Sequence, residues 1–287
     1  RDRDVTGVQT CALPISYTVT LTVTTSMGTD TTATSDAVLV FDNGDGLETV
    51  GYARLDEGAS FLALEGGYAY AGSPEGGLSI VDVSTPDTPT AAGNVPNPDG
   101  QLLAALAVHD GIAYLAYSTA SGGVLQPVDV HDPAAPVLSA VHSTYGQPTA
   151  LTVSGAFAYM TSFDYSYGTS LLAVYELNPP PAAPVDRASG YWEYGDTFYD
   201  IAVSGTLACI PYSHADIDHL SLSAGLLLED ISRPDYLLDL GRFHSLAPIQ
   251  AVLVSGQYAY LTGGMSSGKD YLPGGLQIVD IGNPAAP

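Results

Sequence analysis

Positive charge is scarce in this sequence. Lys and Arg together number 7, against 31 Asp and Glu, and the formal net charge is −24. A nucleic-acid partner is excluded on that ground, because phosphate contacts need clustered cations. Docking on an anionic bilayer surface is disfavoured for the same reason. Long apolar runs are missing too. No stretch reaches the ~18 residues that a spanning helix needs, so no membrane insertion of this chain is expected. Cysteine occurs twice in 287 residues, and no CxxC, phosphate loop or dinucleotide fingerprint is present. What the chain has in quantity is Gly, Pro and Tyr (31, 20 and 19 residues), a mixture that favours turns and strands over long helices. Hydrophobic residues at 46% supply a core and argue against disorder.

The N-terminal part differs in character from the rest. Val5-Thr6-Gly7-Val8-Gln9-Thr10-Cys11-Ala12-Leu13-Pro14-Ile15 resembles the translation of a sequencing-library adapter, and residues 1–16 are set aside as a non-native artefact. The true start of the gene is then expected upstream, and Cys209 is left with no partner for an intrachain disulfide. Tyr17-Thr18-Val19-Thr20-Leu21-Thr22-Val23-Thr24 alternates Thr with larger side chains, the period of a half-buried strand. A turn at Met27–Asp30 leads to a second strand ending Asp36-Ala37-Val38-Leu39-Val40. This pair resembles the last two strands of a PKD domain, an immunoglobulin-like module, and residues 17–40 are read as its C-terminal fragment. The resemblance implies a spacer on a secreted or surface protein, part of a larger multidomain chain. Asp42-Asn43-Gly44-Asp45-Gly46 lacks the alternating ligands of a calcium loop and reads as a linker turn.

From residue 41 to 287 the chain repeats. Gly67-Tyr68-Ala69-Tyr70 returns as Gly111-Ile112-Ala113-Tyr114, Phe157-Ala158-Tyr159, Leu207-Ala208-Cys209 and Gln257-Tyr258-Ala259-Tyr260, at spacings of 44, 45, 50 and 51 residues. Four residues before the end of each comes a turn former: Gly66, Asp110, Gly155, Gly205 or Gly256. That is the signal of a tight hairpin whose turn needs positive φ. A third strand follows in each unit, carrying an acid four residues before a proline: Asp82 and Pro86, Asp129 and Pro133, Glu176 and Pro180, Asp230 and Pro234, Asp280 and Pro284. The offset reads as a strand entering a rigid turn. The acids are expected to bond backbone N–H groups there rather than ring the axis as a cation site. A fourth strand follows. Four short strands per unit of this length form the blade of a β-propeller. "GYAY" with "GLSIVDVSTP" and "GLQIVDIGNP" resembles the LVIVD repeat of bacterial and archaeal surface propellers. That resemblance implies an extracellular or cell-surface protein with no enzymatic activity. The fold expected is all-β: a propeller of about five four-stranded blades, preceded by the short PKD-like remnant. Leu47–Tyr52 resembles a fourth strand that would complete the fifth blade and close the ring. The rival expectation is a ring with further blades.

Antiparallel order places the first-to-second and third-to-fourth turns on one face and all other connections on the opposite one. On the second face the span from the Ala-Tyr terminus to the next strand's Leu varies: 8, 11, 13, 17 and 16 residues. Loops on a rigid scaffold are where binding residues gather. Two aromatic stretches fall here, Tyr191-Trp192-Glu193-Tyr194 and Tyr165-Ser166-Tyr167, suited to an extracellular glycan, a protein or a cationic group, or else to packing beneath the loops. His214, Asp216, Asp218 and His219 could hold Ca2+ or another divalent cation, or be a solvated acidic loop. Gly264-Met265-Ser266-Ser267-Gly268 matches a nucleophile elbow in letters but not in context and reads as loop. Cys209 reads as a small buried hydrophobe. No catalytic residue is assigned. The expected role is a non-enzymatic binding or scaffold module. The alternative is a polysaccharide-active hydrolase or lyase with paired carboxylates at the channel mouth.

The acid excess points to a saline or calcium-containing exterior. The unfolding temperature of the purified chain should rise with salt, as self-repulsion is screened, and fall on adding a chelator. Equal stability at low and high salt, together with indifference to chelator, would overturn this expectation.

Overall fold

The computed structural model describes residues 50–55, 57–192, 195–216, 221–245, 248–267 and 270–287. The adapter-like stretch, the PKD-like strands and the Asp42–Gly46 turn lie outside them. The described residues form 21 strands and no helix. They make five antiparallel sheets, the blades of a propeller.

The first blade shows the plan. β1 (Phe61–Glu65), β2 (Tyr68–Ser73), β3 (Gly77–Asp82) and β4 (Thr90–Val95) lie in sequence order. The second blade holds β5 (Leu102–His109), β6 (Ile112–Thr119), β7 (Gly122–Asp129), β8 (Val137–Leu138) and β9 (His142–Thr144), the last two being a broken fourth strand along β7. The third holds β10 (Gln147–Ser154), β11 (Phe157–Asp164), β12 (Thr169–Glu176) and β13 (Val185–Tyr191). In the fourth blade it is the first strand that breaks, into β14 (Asp196–Phe198) and β15 (Ala202–Ser204), beside β16 (Leu207–Asp216), β17 (Ser221–Arg233) and β18 (Tyr236–Ser245). The fifth has β19 (Ala251–Ser255), β20 (Tyr258–Ser267) and β21 (Asp270–Asp280). First strands of successive blades touch, β1 to β5 to β10 to β15 to β19, which is the radial packing of a propeller.

The hairpin turns follow the repeat. Gly66, Asp110, Gly155, Gly205 and Gly256 all have positive φ, Asp110 at 49° without being glycine. In every blade the residue after the acid donates its N–H to the turn's second carbonyl, from Val83 to Gly67 through Ile281 to Gln257, at 2.8–2.9 Å. The acids cap the proline turns as expected. Asp82, Asp129, Asp230 and Asp280 each accept the N–H two residues on, from Ser84, His131, Ser232 and Gly282. The Ser84 hydroxyl together with the Ser84 N–H holds the Asp82 carboxyl below the usual carboxylate range, and the bonds from His131 and Ser232 do the same for Asp129 and Asp230. In the third blade Glu176 pairs with Arg187 instead.

A second device appears only in three dimensions. The ladder between third and fourth strands slips at one matching point: Ile80/Val81, Val174/Tyr175 and Leu228/Glu229. In the second blade the fourth strand breaks there, and Gln126 Nε2 donates to the Pro127 and Ser139 carbonyls, the first of which also accepts the Ser139 N–H. Beside the slip stands a small residue facing the next blade's proline turn. A Cβ on Gly93 would overlap the Pro133 carbonyl oxygen, and one on Gly241 that of Pro284. At the same place Ala140 donates its N–H to the Pro181 carbonyl at 3.0 Å.

Residues 50–55 form no strand, and among the described residues β21 pairs with β20 alone. The expected fourth strand of the fifth blade is therefore not formed by its described part. Yet Gly51 stands against the Pro86 carbonyl oxygen of the first blade just as Gly93 stands against Pro133.

Four buried cores lie between blades one and two, two and three, three and four, and four and five. Leu78, Leu125, Leu172 and Leu226, from the third strands of blades one to four, sit in these seams at 0–1% exposure. Adding a methyl at the close approaches should disrupt the seams. Gly93→Ala and Gly241→Ala should each cost about 1–3 kcal/mol by overpacking. Gly275→Ala, where a Cβ meets open space, should change stability by less than about 0.5 kcal/mol. Denaturant unfolding of the three variants checks the difference.

Candidate functional site

The spans that vary on the second face are mostly strand rather than loop. β2 and β3 are 6 residues each, whereas β16, β17, β20 and β21 run 10, 13, 10 and 11. The added residues extend the hairpin ladder, because pairing satisfies backbone groups that a loop would leave to water. Met265 to Ser267 belongs to this extension, in register with Asp270 to Leu272, and not to a loop.

The third blade carries the exposed aromatic turn. β11 ends at Asp164, whose Oδ1 accepts the Ser166 N–H at 2.8 Å while its carbonyl accepts the Gly168 N–H at 2.7 Å. Gly168, at φ 63°, reverses the chain into β12. Tyr165 and Tyr167 project from this turn at 73% and 71% exposure. Phe163 supports Tyr165 edge-on, with ring centroids 4.8 Å apart.

The second aromatic stretch lies against the same turn but does different work. Gly195 N–H donates to Gly168 O at 3.0 Å, Trp192 N–H to Ser170 O at 3.1 Å, and the Thr169 hydroxyl to the Trp192 carbonyl. Trp192 is half-buried. It packs edge-on against Phe198 at 5.2 Å and lies over Gly190, next to the core between blades three and four. Trp192 therefore clamps the turn rather than presenting a face. Tyr191 ends β13, and Glu193 and Tyr194 lie outside the described residues.

The expected metal set is divided. His214 is on β16 opposite Asp196, and its Nδ1 lies 2.9 Å from the buried Asp196 carboxylate. Asp216 closes β16, and Asp218 and His219 lie outside the described residues. Asp196 was not anticipated: 18 residues separate it from His214, and only strand pairing joins them. Among the described residues, Glu65, His109 and Asp110 bring metal-capable atoms within 4.8 Å of one another. They lie on the turn face, and the Glu65 carboxylate already accepts the N–H groups of Asp110 and Gly111 at 2.9 and 2.8 Å. That bond ties blade one to blade two.

Two further acids in blade four are shielded from water, Asp200 partly and Glu229 almost wholly. Asp200 bridges to the next blade, accepting the Val252 N–H at 2.9 Å, and burial raises its pKa. Glu229 is 1% exposed, and its Oε1 has no partner. The corresponding residues in the other units are Val81, Val128, Tyr175 and Val279, all buried. Aligning the five units shows this acid in an apolar position. It pairs across the ladder with Asp239. Burial, aided by the Asp239 charge and opposed by Arg242, pushes the Glu229 carboxyl up to about 7. Cys209 is buried as expected, its thiol pushed up to about 12.

Comparison with known proteins agrees with this architecture. The LVIVD repeat model matches residues 58–96 and 249–287, the first and fifth blades. No curated protein matches the chain. Among solved structures it is similar to Kuenenia stuttgartiensis hydrazine synthase, with a TM-score of 0.57 and 15% identity over 84% of this chain and 66% of that one. It is also similar to a functionally unknown protein from Desulfotomaculum acetoxidans, with a TM-score of 0.55 and 12% identity over 75% and 67%. The chain thus spans just under two thirds of the hydrazine synthase chain. At such identities the likeness shows the fold alone.

The Glu229 carboxyl makes stability pH-dependent. The folded state binds its proton more tightly than the unfolded chain, where the group titrates near 4.5. Its contribution is therefore most favourable below pH 4.5 and is lost as pH rises to about 7, a change on the order of 3 kcal/mol. Glu229→Gln should remove this loss. Chemical denaturation should find the variant more stable than the parent at a pH above 7 and indistinguishable from it below 4.5.

Proposed function

We propose that the chain is a non-enzymatic binding module of a secreted or cell-surface protein, and that it engages an extracellular glycan through the turn of blade three. The observation that carries this reading is the pair Tyr165 and Tyr167, more than two thirds exposed on a turn braced by Asp164, Gly168 and the half-buried Trp192. Rigid exposed rings lose little entropy on stacking against a sugar. The surface location rests on the PKD-like and LVIVD-like residues and on the acid excess.

The hydrolase alternative needs two carboxylates about 5–10 Å apart flanking an open cleft. Of the carboxylate pairs among the described residues, Glu229 and Asp239 are cross-strand neighbours within a sheet, with Glu229 buried, and Glu65 and Asp110 lie on the turn face, where Glu65 is engaged by backbone N–H groups. A cavity of about 240 Å³ beside blade one is lined by Arg54, Leu55 and residues of β3 and β4, with no carboxylate. Both features favour binding over hydrolysis.

A glycan array probed with the intact chain tests the proposal. Tyr165→Ala/Tyr167→Ala should weaken the best hit by about tenfold or more, in line with the loss of two stacking rings, while the unfolding midpoint stays within about 0.5 kcal/mol of the parent. No hit, or a hit unaffected by the double substitution, would overturn it.

A further inference from the structure

Two neighbouring seams fill one equivalent position with different chemistry. Between blades two and three, Tyr175 on β12 packs edge-on against His142 on β9, with ring centroids 5.3 Å apart, and His142 Nε2 lies 3.0 Å from the Asp186 carboxylate. Between blades three and four, Glu229 on β17 stands at the position of Tyr175. Gly190 stands at that of His142, since His142 pairs with Leu125 and Gly190 with the equivalent Leu172. A Cβ on Gly190 would meet the Trp192 indole at 2.8 Å and Leu237 at 3.4 Å, so these two side chains fill the space that the His142 ring takes in the other seam. Leu237 comes two residues before Asp239, the cross-strand partner of Glu229. A buried acid is thus set against the residue that clamps the tyrosine turn.

The surroundings of Glu229 suit its neutral form. Glu229 Oε1 has no hydrogen-bond partner. From β18 it meets the charges of Asp239 and Arg242, and Arg242 is shared with Asp239, 3.5 Å away, and with the Tyr212 ring of β16. The Tyr212 hydroxyl in turn contacts His244 Nδ1. Blade three brings Leu172, Val174 and Ala188 to this seam with Tyr159 as its titratable member, and its Glu176 and Arg187 pair with each other. Ionisation of Glu229 therefore sets a second negative charge beside Asp239 in a place shielded from water. Burial first, and Asp239 second, push its carboxyl up to about 7.

We propose that Glu229 is a proton switch for the turn of blade three. With the carboxyl protonated, the seam is closed and Trp192 holds the turn. Ionisation draws water into the seam, parts Leu237 and Trp192 from Gly190, and releases the turn that carries Tyr165 and Tyr167. Trp192 transmits the change because its N–H is bonded to the Ser170 carbonyl and its own carbonyl to the Thr169 hydroxyl, both at the base of that turn. The consequence for a ligand rests on the glycan reading of the turn, whereas the switch itself does not.

Trp192 is the only tryptophan of the chain, so its emission reports the seam directly. In the full chain without ligand, the emission should move to longer wavelength as pH rises through about 7, while the strand signal in far-ultraviolet circular dichroism stays constant. Glu229→Gln should abolish the shift and keep the emission of the acid form, and Asp239→Asn should lower its midpoint. The best hit of the glycan array should bind the parent about tenfold more weakly one pH unit above the midpoint than one unit below it, as the competent fraction falls to about one in ten, and should bind Glu229→Gln equally at both. An emission that does not move, a shift that survives Glu229→Gln, a shift accompanied by loss of the strand signal, or a shift with unchanged glycan affinity would each overturn the switch. An array without a hit overturns the glycan reading alone, and the emission then decides the switch by itself.

Discussion

The architecture depends on one close approach. The proline turn that ends each third strand pushes a carbonyl oxygen against the main chain of the preceding blade's outer strand, and there is no room for a side chain between them at Gly51, Gly93 or Gly241. That approach sets the distance between sheets, so it decides which side chains can interdigitate in the seam. The ladder slip beside it follows, because the outer strand must bend to bring its backbone to the turn. The acid four residues before the proline holds the turn in shape through the N–H two residues on. Turn, slip and small residue form one mechanical unit, repeated from blade to blade.

The seams then supply the stability. Their buried Leu, Ile, Val and Ala side chains are the hydrophobic term of this fold, and each seam involves only neighbours. A polar group in a seam is costly unless paired. Asp196 finds His214, and Asp200 finds Val252 and Ile201. Glu229 stays protonated more readily because it is buried, and because it stands opposite another acid. Blade four thus carries two acids shielded from water, and one of them, Asp200, joins it to blade five.

Much of the scaffold was legible in the sequence because it is local. Hairpin turns, acid–proline spacing and the strand period are relations between residues fewer than ten apart, and all recur in the structure. The inter-blade contacts were not legible in that way. Gly93 and Pro133 are 40 residues apart, and nothing in either neighbourhood announces the other. The candidate residues divide on the same ground. Tyr165 and Tyr167 sit on a local turn, and their exposure follows from it. Trp192 turns inward because Phe198 and Gly190 make a place for it, which composition cannot reveal. His214 was grouped with its sequence neighbours, whereas strand pairing gives it Asp196. Glu229 could have been found by aligning the units, since it alone is charged in an otherwise apolar column.

The departures from the repeat are not spread evenly. Tyr175 and Glu176 replace the Val-Asp of other units, Cys209 replaces Tyr, Glu229 replaces an apolar residue, and the Asp196–His214 pair has no counterpart in the other blades' ladders. These belong to blades three and four, blade two departs at Asp110 and in its broken fourth strand, and the repeat model matches blades one and five. The exposed tyrosine turn and the half-buried Trp192 belong to blade three and its junction with blade four. Blades three and four also meet at the turn of blade three. Gly195 and Trp192 reach it from the connection into blade four, and Ser170, under the turn, takes the Phe198 N–H on its hydroxyl. The two blades are coupled through those bonds, so a surface built on one constrains the seam of the other, and their sequences move away from the repeat together.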